Sequence, residues 1–255
     1  MHAPRDTPHP PNESGAPLAP HVRLRLAVTG TDTGVGKTVA SCALLAALRA
    51  RGLDARGMKP IETGITERHA STDAARLHHA ADGAGDAADV CPITYAEPLA
   101  PLVAAERAGV PVDLARIEAA AARLAAGADA LLVEGAGGLL VPFTRTLDFA
   151  DLVARWRLPL VVVAADRLGV LNHTRLTVRE AERRGIAVRA VVLNAVRPAP
   201  ADVAEETNAP ILRDLLGGVP LVAMPYLDEQ AQRDRARLAA AGAPLAALVL
   251  GESPR

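Results

Sequence analysis

Nine residues constrain this chain more than any others: Gly30-Thr31-Asp32-Thr33-Gly34-Val35-Gly36-Lys37-Thr38. An apolar run, Leu24 to Val28, leads into them, and an alanine- and leucine-rich run, Val39 to Arg51, leads out. The expected arrangement is a strand, a glycine loop and a helix. There, inward-facing backbone N–H groups and the partial positive charge of the helix N-terminus together hold phosphate. Lys37 then reaches the outer phosphates, and the Thr38 hydroxyl is placed to ligate Mg²⁺. Five residues separate Gly30 from Gly36, one more than in the usual pattern. The alternative is an ordinary glycine turn, and Gly-Lys-Thr between an apolar strand and a helix argues against it.

The remaining apolar runs repeat the theme. Ala55 to Met58, Ala130 to Val133, Leu160 to Val163, Ala190 to Leu193 and Leu221 to Met224 read as strands. Several are apolar at every position, as expected of strands covered on both faces of a parallel sheet. Helical stretches lie between them: Ala74 to Ala81 behind a Ser71-Thr72-Asp73 cap, Asp113 to Ala126, Thr174 to Arg184, Ala201 to Leu216 and Gln230 to Leu250. Ile61 to Gly64 and the proline-punctuated Tyr95 to Pro101 read as loops. Strands alternating with helices predict an α/β fold with a doubly wound, mostly parallel sheet and helices on both faces. Ligands of such sheets sit beyond the carboxyl ends of the strands. Gly30, Lys59, Glu134, Asn194 and Pro225 each follow an apolar run and are therefore expected along one edge.

Composition narrows the function. With 255 residues the chain suffices for one domain with a substantial core, expected over residues 23–255. Residues 1–22, rich in proline, histidine and alanine, read as a disordered tail without the apolar core of a signal peptide. A formal net charge of −1 and 2% aromatic residues give no basic field or stacking platform for nucleic acid. No later segment has the length and apolarity of a membrane span. Cys42 and Cys91 have no metal or redox spacing and fit a reducing cytoplasm. Of 28 basic residues only Lys37 and Lys59 are lysine. The chain otherwise takes the planar guanidinium, so a compact ammonium at two places suggests that Lys59 has a task of its own. His78 and His79 are adjacent in sequence and cannot share a helix face as a metal pair.

Thr38 alone cannot hold Mg²⁺, which takes about six oxygen ligands, commonly including carboxylates and phosphate oxygens. Glu134, placed after a buried strand and before Gly-Ala-Gly-Gly, is the first candidate for the missing carboxylate, and a solvated strand-end acid is the alternative. Asp73 is the second candidate, with helix capping as its other reading; Asp32 is the third, as a ligand through water or as a residue that orders the loop. Lys59 could stabilise charge moving from a γ-phosphate to an acceptor. Thr63 could position that acceptor or bond nearby backbone. The Asn194 amide has the donor and acceptor that match adenine, or it forms a turn.

These stretches together resemble the dethiobiotin synthetase family of biotin synthesis. The resemblance lies in Gly30 to Leu45, in Lys59-Pro60, in Val133-Glu134-Gly135-Ala136-Gly137-Gly138 and in Leu168-Gly169-Val170-Leu171-Asn172-His173. The five-residue loop spacing is that family's form. The resemblance implies a P-loop α/β homodimer in the cytoplasm, with ATP as co-substrate and Mg²⁺ as cofactor. It implies closure of 7,8-diaminononanoate with CO₂ to a cyclic urea, through a carbamate and a carbamic–phosphoric anhydride. It places Gly34, Val35, Gly36, Lys37, Thr38 and Val39 on the phosphates. Glu134, Gly135, Ala136 and Gly137 also lie at the nucleotide, and Asn194 with Pro225, Tyr226 and Leu227 holds adenine. Thr38, Asp73 and Glu134 hold the metal, and Lys59 is the catalytic lysine. Thr63 stands where the family usually has a substrate-contacting serine. Gly169, Val170, Leu171 and Asn172 are expected to bind the substrate's carboxylate from the partner subunit.

Two other readings remain. A cobyrinate-type ATP-dependent amidoligase usually carries a C-terminal glutaminase, and none is visible. A dimeric ATP switch of the partition type carries an extra signature lysine early in the loop, where this chain has Asp32.

Overall fold

The computed structural model describes residues 18–19, 21–67, 71–198 and 203–252. The elements run β1 (Leu24–Gly30), α1 (Lys37–Ala50), β2 (Ala55–Met58), β3 (Ile61–Thr63), α2 (Asp73–Ala80), α3 (Ala87–Val90), β4 (Ile93–Tyr95), α4 (Pro101–Ala108) and α5 (Leu114–Ala125). They continue with β5 (Ala130–Gly138), α6 (Phe149–Trp156), β6 (Leu160–Ala165), α7 (Val170–Arg183), β7 (Val188–Asn194), α8 (Val203–Leu215), β8 (Leu221–Met224), α9 (Glu229–Arg233) and α10 (Arg235–Leu250).

Six strands form one sheet in the order β2-β5-β1-β6-β7-β8, and every pairing is parallel. The chain leaves β1 toward β5 and β2 on one side and toward β6, β7 and β8 on the other. That reversal opens a crevice at the carboxyl end of β1, where ligands of such sheets bind. All six residues of β6 are buried, which is why its sequence is apolar throughout. Helix α1 is also buried over most of its surface and has no polar face to speak of. It packs on α10 at Gly242, where a Cβ would lie 2.0 Å from the Ala43 carbonyl oxygen. Alanine and glycine at such crossings let the helices approach closely with very few aromatic residues. Among the described residues, no helix is long and apolar enough to cross a membrane.

Four features differ from the sequence reading. Ile61–Thr63 is a strand rather than a loop, because it finds a partner in β4, with Ile61 beside Ile93 and Thr63 beside Tyr95. Strand β5 continues through the glycines to Gly138, paired with Gly30, so Glu134 sits inside the strand, opposite Val28. The C-terminal helical stretch breaks at Asp234, whose side chain accepts from the Ala236 and Arg237 N–H groups and starts α10. Pro101 opens helix α4, a position where its missing N–H costs nothing.

The expected tail falls mostly outside the described residues, but its last part belongs to the core. Leu18 and Val22 are buried. The Leu18 N–H donates to the Trp156 carbonyl at 3.3 Å, and Arg25 Nη1 donates to the Leu18 carbonyl at 2.6 Å. Deletion of residues 1–17 supplies the baseline urea midpoint. Deleting 1–22 exposes the pockets of two apolar side chains and should cost about 2–4 kcal/mol in the same titration. Equal midpoints for the two truncations would mean that Leu18 and Val22 contribute nothing.

Candidate active site

The glycine loop turns through left-handed backbone at Gly34 and Gly36, with φ of +74° and +89°. Gly36 is the N-cap of α1, makes no side-chain cap and is followed by no acid in the first helical turn. The leading N–H groups of α1 therefore face the crevice without an internal anion, as a phosphate site requires. Lys37 is buried along its length and donates from Nζ to the Asp32 carbonyl at 3.1 Å. Burial, with the Lys59 charge nearby, lowers its pKa.

Thr38, Lys59, Asp73 and Glu134 form one connected cluster. Thr38 Oγ1 donates to Glu134 Oε1 at 2.8 Å. Lys59 Nζ donates to the same oxygen at 2.7 Å, to Asp73 Oδ2 at 2.8 Å and to the Gly135 carbonyl at 3.3 Å. Glu134 is 0% exposed and Lys59 3%, so this is a buried ion pair. Burial alone would lower the lysine pKa, but the Glu134 and Asp73 carboxylates reverse that and raise it above its ordinary value. Burial works against the Asp73 carboxylate too, and the Lys59 ammonium more than offsets it, leaving its pKa lowered.

One atom of the cluster is unsatisfied. Glu134 Oε2 is buried and, among the described residues, has no hydrogen-bond partner. A bare buried carboxylate oxygen is costly, and a hard cation is the partner that would satisfy it. The Thr38 hydroxyl and the Glu134 and Asp73 carboxylates are all hard oxygen donors, so the residues present fit Mg²⁺.

The second reading of Asp73 does not hold. Thr72 caps α2, accepting from the Ala75 N–H at 3.2 Å, and Asp73, the first helical residue, turns its carboxylate to Lys59. Asp32 orders the loop: its Oδ1 accepts from the Thr33 N–H at 2.7 Å, and its Oδ2 lies 3.8 Å from Arg167 Nη2. Asn194 is buried at the end of β7, and its Nδ2 donates to the Val35 carbonyl at 3.0 Å. That donor holds the phosphate loop, a contact the sequence did not announce. Pro225-Tyr226-Leu227 follows β8 beside Asn194, which stands in register with Met224. Thr63 ends β3, one residue beyond Glu62 and on the opposite face of that strand.

Gly169 is a left-handed N-cap with φ of +95°, and no side chain caps the first turn of α7. Leu168 before it is 85% exposed. Within one chain, no described contact joins Gly169 to Asn172 with the lysine cluster. A cavity of about 520 Å³ lies elsewhere, against α2, lined by Glu62, Thr72, His78, His79, Cys91 and Arg235 among others, and by none of the expected site residues. Sequence reasoning missed Glu62, a buried acid whose oxygens accept from the Asp73 and Ala74 N–H groups. Its partners are eleven and twelve residues away, and no spacing rule connects them.

A family model described as an AAA domain matches residues 25–229. Among curated proteins, the chain is similar to ATP-dependent dethiobiotin synthetase BioD of Anaeromyxobacter dehalogenans, 48% identical over 211 residues, or 83% of this chain and 94% of that protein. It is 43% identical to the protein of the same name from Xanthomonas axonopodis pv. citri, over 78% of this chain and 87% of that one. For the Bacillus velezensis protein of that name the identity is 38%, over 79% and 86%. Among solved structures, a ParA family ATPase from Chlorobium tepidum is 12% identical with a TM-score of 0.49, over 91% of this chain and 95% of that one.

Proposed function

From a chain that belongs to the ATP-dependent dethiobiotin synthetase family, we propose closure of 7,8-diaminononanoate with CO₂ and ATP to the cyclic urea dethiobiotin, a step of biotin synthesis. The observation that carries this is the buried Lys59 ammonium, held between Glu134 and Asp73 beside the phosphate loop. One amine of the diamine takes up CO₂ as a carbamate. The carbamate oxygen attacks the γ-phosphorus of ATP, ADP leaves, and the second amine closes the ring as phosphate departs.

The loop N–H groups and Lys37 hold the triphosphate. Lys59 draws the carbamate and the transferring phosphoryl group together and stabilises the negative charge that gathers there. Glu134 and Asp73 keep that lysine charged and oriented. Thr38, Asp73 and Glu134 would hold Mg²⁺, which supplies charge neutralisation at the phosphates. No side-chain nucleophile is needed. Asn194, with Pro225 to Leu227, lies at the adenine position, and Thr63 contacts the diamine. Gly169 to Asn172 receives the substrate carboxylate from the partner subunit of a homodimer, a reading supported by the exposed, side-chain-free N-terminus of α7. We place the enzyme in the cytoplasm, in keeping with two buried free thiols. The names of the curated relatives favour neither an amidoligase nor a partition-type switch.

Phosphate release from ATP with Mg²⁺ and bicarbonate tests the reaction. It should depend on added diamine; release indifferent to the diamine would instead favour a switch. Glu134→Gln keeps the shape of the site and removes the charge. It should raise the Mg²⁺ concentration for half-maximal rate by about 10–100-fold. An unaltered Mg²⁺ titration would place the metal elsewhere.

A further inference from the structure

The acid that sequence reasoning missed is buried at some cost. Glu62 is 7% exposed, and burial raises its pKa against the pull of two backbone N–H groups. Those are the first two N–H groups of α2: Asp73 N donates to Oε1 at 2.5 Å and Ala74 N to Oε2 at 3.2 Å. Thr72 covers the next, so each of the three leading N–H groups of α2 has a partner, one local and two from another element. A helix of eight residues needs its own cap, but a second, distant carboxylate does something a local cap does not. It fixes where the first helical residue stands relative to β3.

That residue is Asp73, whose carboxylate meets Lys59 at 2.8 Å. Lys59 and Glu62 lie on one short stretch, Lys59-Pro60-Ile61-Glu62, that leaves the end of β2 and enters β3. Proline restricts the backbone in its middle, and pairing of β3 with β4 anchors its far end. The same four residues therefore hold Asp73 twice, its carboxylate through the Lys59 ammonium and its backbone N–H through the Glu62 carboxylate.

We infer that Glu62 is a positioning residue: by clamping the first two N–H groups of α2, it aims the Asp73 carboxylate at Lys59 and at the cation site. This rests on the proposed role of Asp73 at that site. Without the clamp, the first turn of α2 is free to fray, and Asp73 loses its fixed direction. Ordering of a metal-site carboxylate by its outer partners is typically worth about 10–100-fold in affinity or activity.

The test is a double-mutant cycle of Glu62→Ala and Asp73→Asn in the full chain. One readout is equilibrium binding of a fluorescent non-hydrolysable ATP analogue against Mg²⁺ concentration, and the second is turnover with the diamine. Glu62→Ala should shift the Mg²⁺ midpoint upward about tenfold. In the Asp73→Asn background it should add less than about twofold, because coupled residues do not act independently. Glu62→Gln keeps the side-chain volume but replaces one of the two acceptor oxygens with a donor, so it should shift the midpoint in the same direction by a smaller amount, and it covers the case in which the alanine variant fails to fold. An unchanged Mg²⁺ midpoint in whichever of the two variants folds, or shifts that multiply with Asp73→Asn, would overturn the inference. Failure of the reaction reading looks different: wild type would not turn over the diamine, while the binding cycle would still report whether Glu62 acts through Asp73.

Discussion

Lys59→Met is expected to lower kcat by about 10²–10³-fold, while the KM for ATP changes little. In the proposed mechanism the ammonium follows charge from the γ-phosphate to the acceptor, whereas Lys37 and the loop N–H groups hold ATP in either case. The substitution also has a structural effect. Glu134 is 0% exposed, and without Lys59 its charge is left uncompensated. Breaking a buried pair on one side costs about 3–5 kcal/mol, so the single variant should be markedly less stable. The double variant Lys59→Met with Glu134→Gln removes both charges. It should regain much of that stability and none of the turnover, which separates the two effects. Lys59→Arg keeps the charge but needs room for a planar fork in a site with almost no exposed surface, and should also be nearly inactive. The sign of the pH dependence follows from the raised lysine pKa. The charge contribution is complete below the ordinary value of 10.5 and is lost only as pH rises through the higher folded value. A rate profile across neutral and mildly alkaline pH should therefore show no step from Lys59. Unchanged turnover in Lys59→Met would remove it from the mechanism.

Gly36→Ala should weaken ATP binding by about 100-fold or more. A Cβ there would stand 2.1 Å from Asn194 Nδ2, in a backbone conformation with φ of +89°. The left-handed backbone alone costs an alanine about 1–2 kcal/mol. Asn194 is buried and holds the Val35 carbonyl, so it cannot move aside without breaking that bond. Leaving buried polar groups unpaired adds about 1–3 kcal/mol, and each 1.4 kcal/mol is about tenfold in affinity. Equilibrium binding of an ATP analogue reads the effect directly. Adding Asn194→Ala to Gly36→Ala clears the space but also removes the donor that holds the Val35 carbonyl, so the wild-type affinity should not return. Wild-type binding by Gly36→Ala would mean that the loop does not hold phosphate in the shape described here.

What could be read in the sequence was whatever is encoded locally. The strand, loop and first helix follow from an apolar run, glycines and Lys-Thr in direct succession, and β6 follows from the apolar run Leu160 to Val163. Lys59 stood out because the chain otherwise uses arginine, and Glu134 because it directly follows an apolar run and precedes Gly-Ala-Gly-Gly. The remainder depends on partners distant in sequence. β3 is three residues long and exists because β4, some thirty residues on, pairs with it. Asp73 reads from sequence as a metal carboxylate or a helix cap, and only the fold shows that Thr72 caps α2 while the Asp73 carboxylate meets Lys59. The sequence matches the Asn194 amide to adenine or to a turn; that its Nδ2 also donates to the Val35 carbonyl, 159 residues away, has no local signal. Leu18 joins the core through Trp156 on α6, which nothing near Leu18 announces.

The central claim is that this chain uses ATP to join CO₂ to two amines of one molecule. The most direct measurement supplies ¹³C-bicarbonate, 7,8-diaminononanoate, ATP and Mg²⁺, and follows product mass and phosphate together. A cyclic urea carrying a single ¹³C is expected, formed in equal amount to the phosphate released. Phosphate release with no ¹³C in any diamine-derived product would contradict it.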